Sequence, residues 1–164
     1  VEVVQKEVRK NPYPPFTTST MTQGAASLFG WSAKRTMSIA QKLYEEGLIT
    51  YHRTDSMNVA KDAIAGVRDF IGKDFGKNYL PEKPRYYKTK AKVAQEDHET
   101  IRTTNVKKAP EFKVKIQKDA ELLYYLIWKR FFANQMASSV YDDTKIDVEA
   151  VRKENKGKRL LDDL

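Results

Sequence analysis

Apolar residues fall into helix-spaced runs in the middle of the chain and into strand-like alternation at its two ends. Val3, Val4 and Val8 alternate weakly between Val1 and Lys10, which predicts a strand whose partners lie elsewhere. Asn11-Pro12-Tyr13-Pro14-Pro15 interrupts it, because proline lacks the ladder N–H and restrains its predecessor. Thr20 and Gln23 are spaced as a capping box for a first helix carrying Ala25, Ala26, Leu28 and Phe29, which Gly30 closes. Ser32 then offers the N-cap of a second helix, with Ala33, Met37, Ala40, Leu43 and Tyr44 on one face and Gly47 at its end. Leu48 to Arg53 is β-branched enough to predict a short strand. Two capped helices across a tight turn, followed by a strand, have the order of a helix-turn-helix with a wing.

Further along, Ser56 or Asn58 caps a predicted third helix with Val59, Ala63, Val67, Phe70 and Ile71 on its buried face. A loop rich in Pro, Tyr and Lys spans residues 76–92. A long helix follows from about Lys118 to Met136, its stripe made by Leu122, Leu123, Leu126, Ile127, Trp128 and Phe131. From Val140 the pattern alternates again through Tyr141, Thr144, Ile146 and Val148, and Asn155-Lys156-Gly157-Lys158 reads as a hairpin turn. The predicted fold class is α+β, mainly α: a helix-turn-helix or winged-helix (CAP-like) domain at 15–136, inserted between strand segments 1–14 and 137–164 of a partial β domain.

Charge narrows the classes of partner. Thirty Lys and Arg against 22 Asp and Glu give a net charge of +8, and the pI is near 9.5. A polyanion fits that surface, nucleic acid before membrane, since no basic amphipathic anchor is present. No apolar run approaches the roughly 18 residues of a membrane span. Cysteine is absent, which excludes disulfide scaffolds, thiolate nucleophiles and zinc fingers within these residues and fits a reducing compartment.

Several familiar sites fail on spacing. Gly72 to Lys77 is one residue short of a phosphate loop and lacks the Ser/Thr after Lys. His98-Glu99 starts like H-E-x-x-H, but Arg102 stands where the second histidine would. No metal site is predicted in this chain, the acidic pairs Asp142-Asp143 and Asp147 with Glu149 sitting in strand pattern. Three groups remain. Tyr51 and Arg53, two apart on the predicted strand, share a face. A guanidinium there favours phenolate and can grip a phosphate oxygen, which suits in-line attack on a phosphodiester. On chemistry alone the pair reads first as a packed ring beside a solvated charge, since Tyr-x-Arg is a common sequence. If 95–102 is helical, His98 and Arg102 point the same way and form a phosphate clamp; otherwise they belong to a mixed-charge surface. The Tyr- and Lys-rich loop suits stacking of unpaired bases, or is a solvated loop pinned by its prolines.

Ordered motifs connect these groups. They are Pro15-Phe16-Thr17-Thr18-Ser19-Thr20, Ala33-Lys34-Arg35-Thr36-Met37, Ile39-Ala40-Gln41-Lys42-Leu43-Tyr44 and Gly47 through Ser56. Gly76-Lys77-Asn78-Tyr79-Leu80-Pro81, Gln95 to Arg102, and Leu126 to Phe131 with Gln135-Met136 follow in order. Over about Pro14 to Thr144 the chain closely resembles type IA DNA topoisomerases, and the loop is more similar to bacterial topoisomerase I than to topoisomerase III or reverse gyrase. The resemblance implies that Tyr51 is the nucleophile, cutting one strand of single-stranded DNA and staying on its 5′ phosphate, and that Arg53 stabilises the scissile phosphate. It implies supporting roles for Asp55 and His98 and DNA contacts by Lys34, Arg35, Thr54 and Arg102.

Some positions depart from the family pattern. His52 stands where bacterial topoisomerase I commonly has Met. Asp97, Thr100 and Thr103 replace small residues and a proline; Asp97 is expected to favour protonated His98, and Thr103 to loosen the following turn. The family's magnesium domain, with its acidic cluster, has no counterpart here. The chain therefore reads as a monomeric fragment that binds single-stranded DNA, works with the remaining domains of the same polypeptide and does not relax DNA alone; the complete enzyme would use Mg2+ and be cytoplasmic, at the nucleoid. The competing reading is a non-catalytic winged-helix DNA-binding module.

Overall fold

The computed structural model describes residues 2–87, 98–106 and 118–149. Contacts divide the chain into Val1–Lys10 with Val140–Leu164, and Asn11–Ser139. In the first unit β1 (Glu2–Lys10) and β2 (Ser139–Asp147) pair as an antiparallel ribbon. Its residues are exposed apart from half-buried Val8, and Lys10 lies over the Tyr141 ring. The turn expected at 155–158 lies outside the described residues.

The second unit is helical: α1 (Thr18–Phe29), α2 (Ala33–Glu45), α3 (Lys61–Asp74) and α4 (Lys118–Ala133). The molecule is thus α+β with helix dominant. The capping box at α1 is one turn earlier than the sequence suggests. Thr17 is the N-cap, its hydroxyl accepting from the Thr20 N–H while the Thr20 hydroxyl accepts from the Thr17 N–H. Threonine here does the work usually left to Glu or Gln at the third position. Gly30 ends α1 in the left-handed region (φ 68°), where a side chain would be strained, and Ser32 caps α2 through the Arg35 N–H.

Two expectations are corrected. Leu48 to Arg53 is not a strand. It contributes one isolated bridge, Ile49 to Thr103, supported by the Thr50 N–H on the Arg102 carbonyl and the Thr104 N–H on the Leu48 carbonyl. The third helix begins at Lys61, with Ala60 as N-cap, rather than after Ser56 or Asn58. Its orphan donor is met from far away, the Ala60 N–H donating to the Glu99 carboxylate at 2.9 Å. Such a cap leaves no local signature.

The α1–α2 pair packs on α4 around Phe16, Met21, Leu43, Ile49, Leu123 and Ile127. A second cluster joins Val67 and Ile71 of α3 to Phe131 and Phe132 of α4, with Trp128 touching both clusters. Leu122, counted with the stripe from sequence, is on the exposed side of α4. Leu123 is completely buried where α1, α2 and α4 meet. Leu123→Ala should therefore cost about 3 kcal/mol, against roughly 0.5 kcal/mol or less for Leu122→Ala. Urea unfolding monitored by circular dichroism checks the contrast.

Candidate nucleic-acid interface

After α2 the chain runs as an irregular strip through 51–56, bending at 52 and 53, with exposure in strict alternation. Tyr51, Arg53 and Asp55 are exposed; His52, Thr54 and Ser56 are buried. This is strand periodicity without a strand. Its backbone groups find partners on α1 instead: the Thr18 N–H donates to the Thr54 carbonyl at 2.8 Å, and the Thr18 hydroxyl donates to the His52 carbonyl at 2.7 Å. The Thr54 N–H donates back to the Thr18 hydroxyl. A buried Thr54 so engaged serves the backbone, though its edge still borders the cleft described next.

Two shallow concavities meet at Arg53. One lies over the first turn of α1, lined by Thr17, Thr18, Ser19, Arg53, Thr54, Asp55 and His98. The first turn of α1 carries no acidic residue. A helix N-terminus, a guanidinium and an imidazole, groups that favour an anion, face this hollow together with the opposing carboxylate of Asp55. The other runs along α2, lined by Lys34, Met37, Ser38, Gln41, Lys42, Glu45 and Arg53. Tyr51 lines neither of them; it is 46% exposed, its ring edge-on to Tyr44 at 5.4 Å and to His52 at 5.6 Å.

The remaining candidates separate. Residues 98–100 are not helical, so His98 and Arg102 are not one turn apart on a helix. The reason is their backbone: the Thr100 N–H donates to the Asn58 carbonyl and the Ile101 N–H to the Phe16 carbonyl. His98 reaches the hollow beside Arg53, whereas Arg102 turns inward. Its guanidinium meets Glu99 twice, at 2.7 and 3.0 Å, donates to the Thr103 carbonyl and lies over the Phe131 ring. Lys34 borders the α2 groove, but neighbouring Arg35 lies over Trp31 and pairs with Asp119 at 2.6 Å. Thr103, expected to loosen its turn, is buried and donates to the Asn105 carbonyl; Thr100 donates to the Phe16 carbonyl at 2.7 Å. In the 76–92 loop, Arg85 is held by Met136, Ser138 and Asn11 and Tyr87 by Asn134, while Tyr79 and Tyr86 are exposed. Residues 88–97, with Asp97, lie outside the described residues.

A model of the DNA topoisomerase family matches residues 1–163. The chain belongs to the type IA DNA topoisomerase family. It is 47% identical over 164 residues to DNA topoisomerase 1 of Rickettsia felis, covering 94% of this chain and 21% of that protein. It is 45% identical over 175 residues to DNA topoisomerase 1 of Helicobacter pylori, covering 99% of this chain and 24% of that protein. The full-length topoisomerase I structure from Thermotoga maritima superposes with a TM-score of 0.72 at 39% identity, over 87% of this chain and 24% of that one. The chain thus spans about a fifth to a quarter of these relatives.

Within this topoisomerase segment, two residues that sequence reading passed over build the site: Thr18, which holds the strip, and Glu99, which binds Arg102 and caps α3. Only the capping-prone run Thr17 to Thr20 signalled the first. Arg102→Lys should lower stability by about 2 kcal/mol, because lysine cannot span both Glu99 oxygens. Thermal melting at pH 7 reads this. An unchanged melting temperature with weaker DNA binding would instead place Arg102 on phosphate.

Proposed function

We propose that this chain supplies the nucleophile side of a type IA topoisomerase site. Tyr51 attacks a phosphodiester of single-stranded DNA: its Oη–P bond forms, the P–O3′ bond breaks, and a 5′-phosphotyrosine and a 3′-hydroxyl result. Reversal after strand passage reseals the strand and relaxes negative supercoils. The observation that carries this reading is the exposed Tyr51 and Arg53 flanking buried His52, with Arg53 at the junction of two hollows. Arg53 would hold the scissile phosphate against Tyr51 with its planar fork. His98 and the first turn of α1 would share the anion's charge, Asp55 would orient the cationic groups, and Lys34 would meet the backbone of the same strand. The α1–α2 pair would act as the helix-turn-helix of a winged-helix domain, with the strip after α2 in the wing's place.

Magnesium chemistry belongs to the family reading; among the described residues no three His, Cys, Asp or Glu side chains converge. In this proposal the metal, the other domains and the strand-passage cycle lie in parts of the polypeptide outside this chain, and the whole enzyme works at the nucleoid. No described helix is long and apolar enough to cross a membrane.

In the full-length protein, Tyr51→Phe should abolish relaxation of supercoiled plasmid and the covalent adduct, with oligonucleotide binding nearly intact. Phenylalanine keeps the ring contacts and removes only the attacking oxygen; a persisting adduct would move the nucleophile elsewhere and leave a binding module. Arg53→Lys should slow single-turnover cleavage roughly a hundredfold, about 3 kcal/mol, with little change in melting.

The chain should bind single-stranded DNA with an affinity that falls steeply as salt rises, since phosphate contacts release counterions. Lys34→Ala should reduce the slope of that dependence by about one unit, and Arg35→Ala should leave it unchanged. Fluorescence anisotropy across a salt series measures both.

A further inference from the structure

His52 is the buried member between the two exposed residues on which the proposed chemistry turns. Its side chain is completely buried, with the Tyr44 ring of α2 at 5.9 Å and the Tyr51 ring at 5.6 Å. Its carbonyl is held by the Thr18 hydroxyl, so the residue is fixed to α1 by backbone and to α2 by side chain. Neither ring nitrogen has a hydrogen-bond partner among the described residues. A neutral imidazole tolerates this slot at some cost; an imidazolium, with two N–H donors and a full charge, tolerates it far less. The charged groups bearing on the ring are Arg53 beside it, which opposes protonation, and Glu45 at the end of α2, which favours it. Burial, the larger cause, and Arg53 act together against Glu45 and hold the imidazole below its ordinary titration range.

We infer that His52 is a positioning residue for Tyr51, a neutral wedge beneath the tyrosine whose protonation drives it from its slot and displaces Tyr51 and Arg53 together. The inference rests on the reading of Tyr51 as nucleophile. Its sign follows from the direction of the shift. The folded state resists the proton more than the unfolded chain, so seating is intact at neutral pH, begins to weaken as pH falls through the ordinary histidine range, and is lost only below it, at the lowered midpoint of His52.

The test is single-turnover cleavage of a labelled single-stranded oligonucleotide by the full-length protein, from pH 8 to pH 5. Wild type is compared with His52→Met, which fills the slot without titrating. Whatever its value at pH 8, the ratio of variant to wild-type rate should rise in acid, approaching tenfold per pH unit below the His52 midpoint. A pH-independent ratio overturns the inference. Independently of cleavage, NMR of isotope-labelled wild-type protein should show His52 titrating below the ordinary histidine range and the Tyr51 ring resonances moving with the same midpoint. Tyr51 resonances that ignore the His52 titration overturn it too, even if His52→Met fails to fold. Tyr51→Phe run alongside separates the two readings. An adduct formed by that variant removes the nucleophile assignment, whereas a dead Tyr51→Phe with a flat His52→Met ratio removes only the wedge.

Discussion

A strip of irregular backbone crossing a helical unit must find partners for its N–H and C=O groups, and the site depends on how this one does so. Residues 51–56 have no neighbouring strand. They lean on the first turn of α1, where the Thr18 N–H and hydroxyl serve the carbonyls of Thr54 and His52. On the other side, residues 100–104 bond to Phe16, Thr50 and Leu48 and so tie the start of α1 to the end of α2. Because both sets of bonds are made, the strip keeps its alternation of exposure, with Tyr51 and Arg53 exposed on either side of buried His52. Removing a partner would leave a buried carbonyl unpaired, which is more costly than losing an exposed hydrogen bond.

The elements legible in the sequence were those with local causes. Gly30 and Ser32 punctuate α1 and α2 by their own chemistry, and the stripe of α4 is visible as periodicity because its partners are simply apolar. The alternating ends pair as β1 and β2. What escaped was held by distant chain. Glu99 caps α3 from 39 residues away, and 98–102 is kept from helix by carbonyls of Phe16 and Asn58. Propensity has no access to such partners.

The basic residues show the same division. Lys34 and Arg35 are adjacent and alike in sequence, yet one helical step of about 100° sends Lys34 to the α2 groove and Arg35 to Asp119 on α4. Arg102 is similarly committed, its charge answered by Glu99. The net charge of +8 is therefore a poor guide to which cations a polyanion would meet. The useful distinction is whether a carboxylate from another element has already taken the guanidinium.

The anchoring on either side of Tyr51 has a mechanical consequence. Toward the N-terminus, Thr50 is bonded to the Thr100 and Arg102 carbonyls; toward the C-terminus, His52 and Thr54 are bonded to Thr18. A strand joined to the tyrosine would pull on backbone suspended between two supports, one in the 100–104 segment and one in α1. Tension would be shared by both supports at once, so neither could peel open bond by bond ahead of the other. For such a tether to yield with these bonds intact, the helical unit would have to move as one piece.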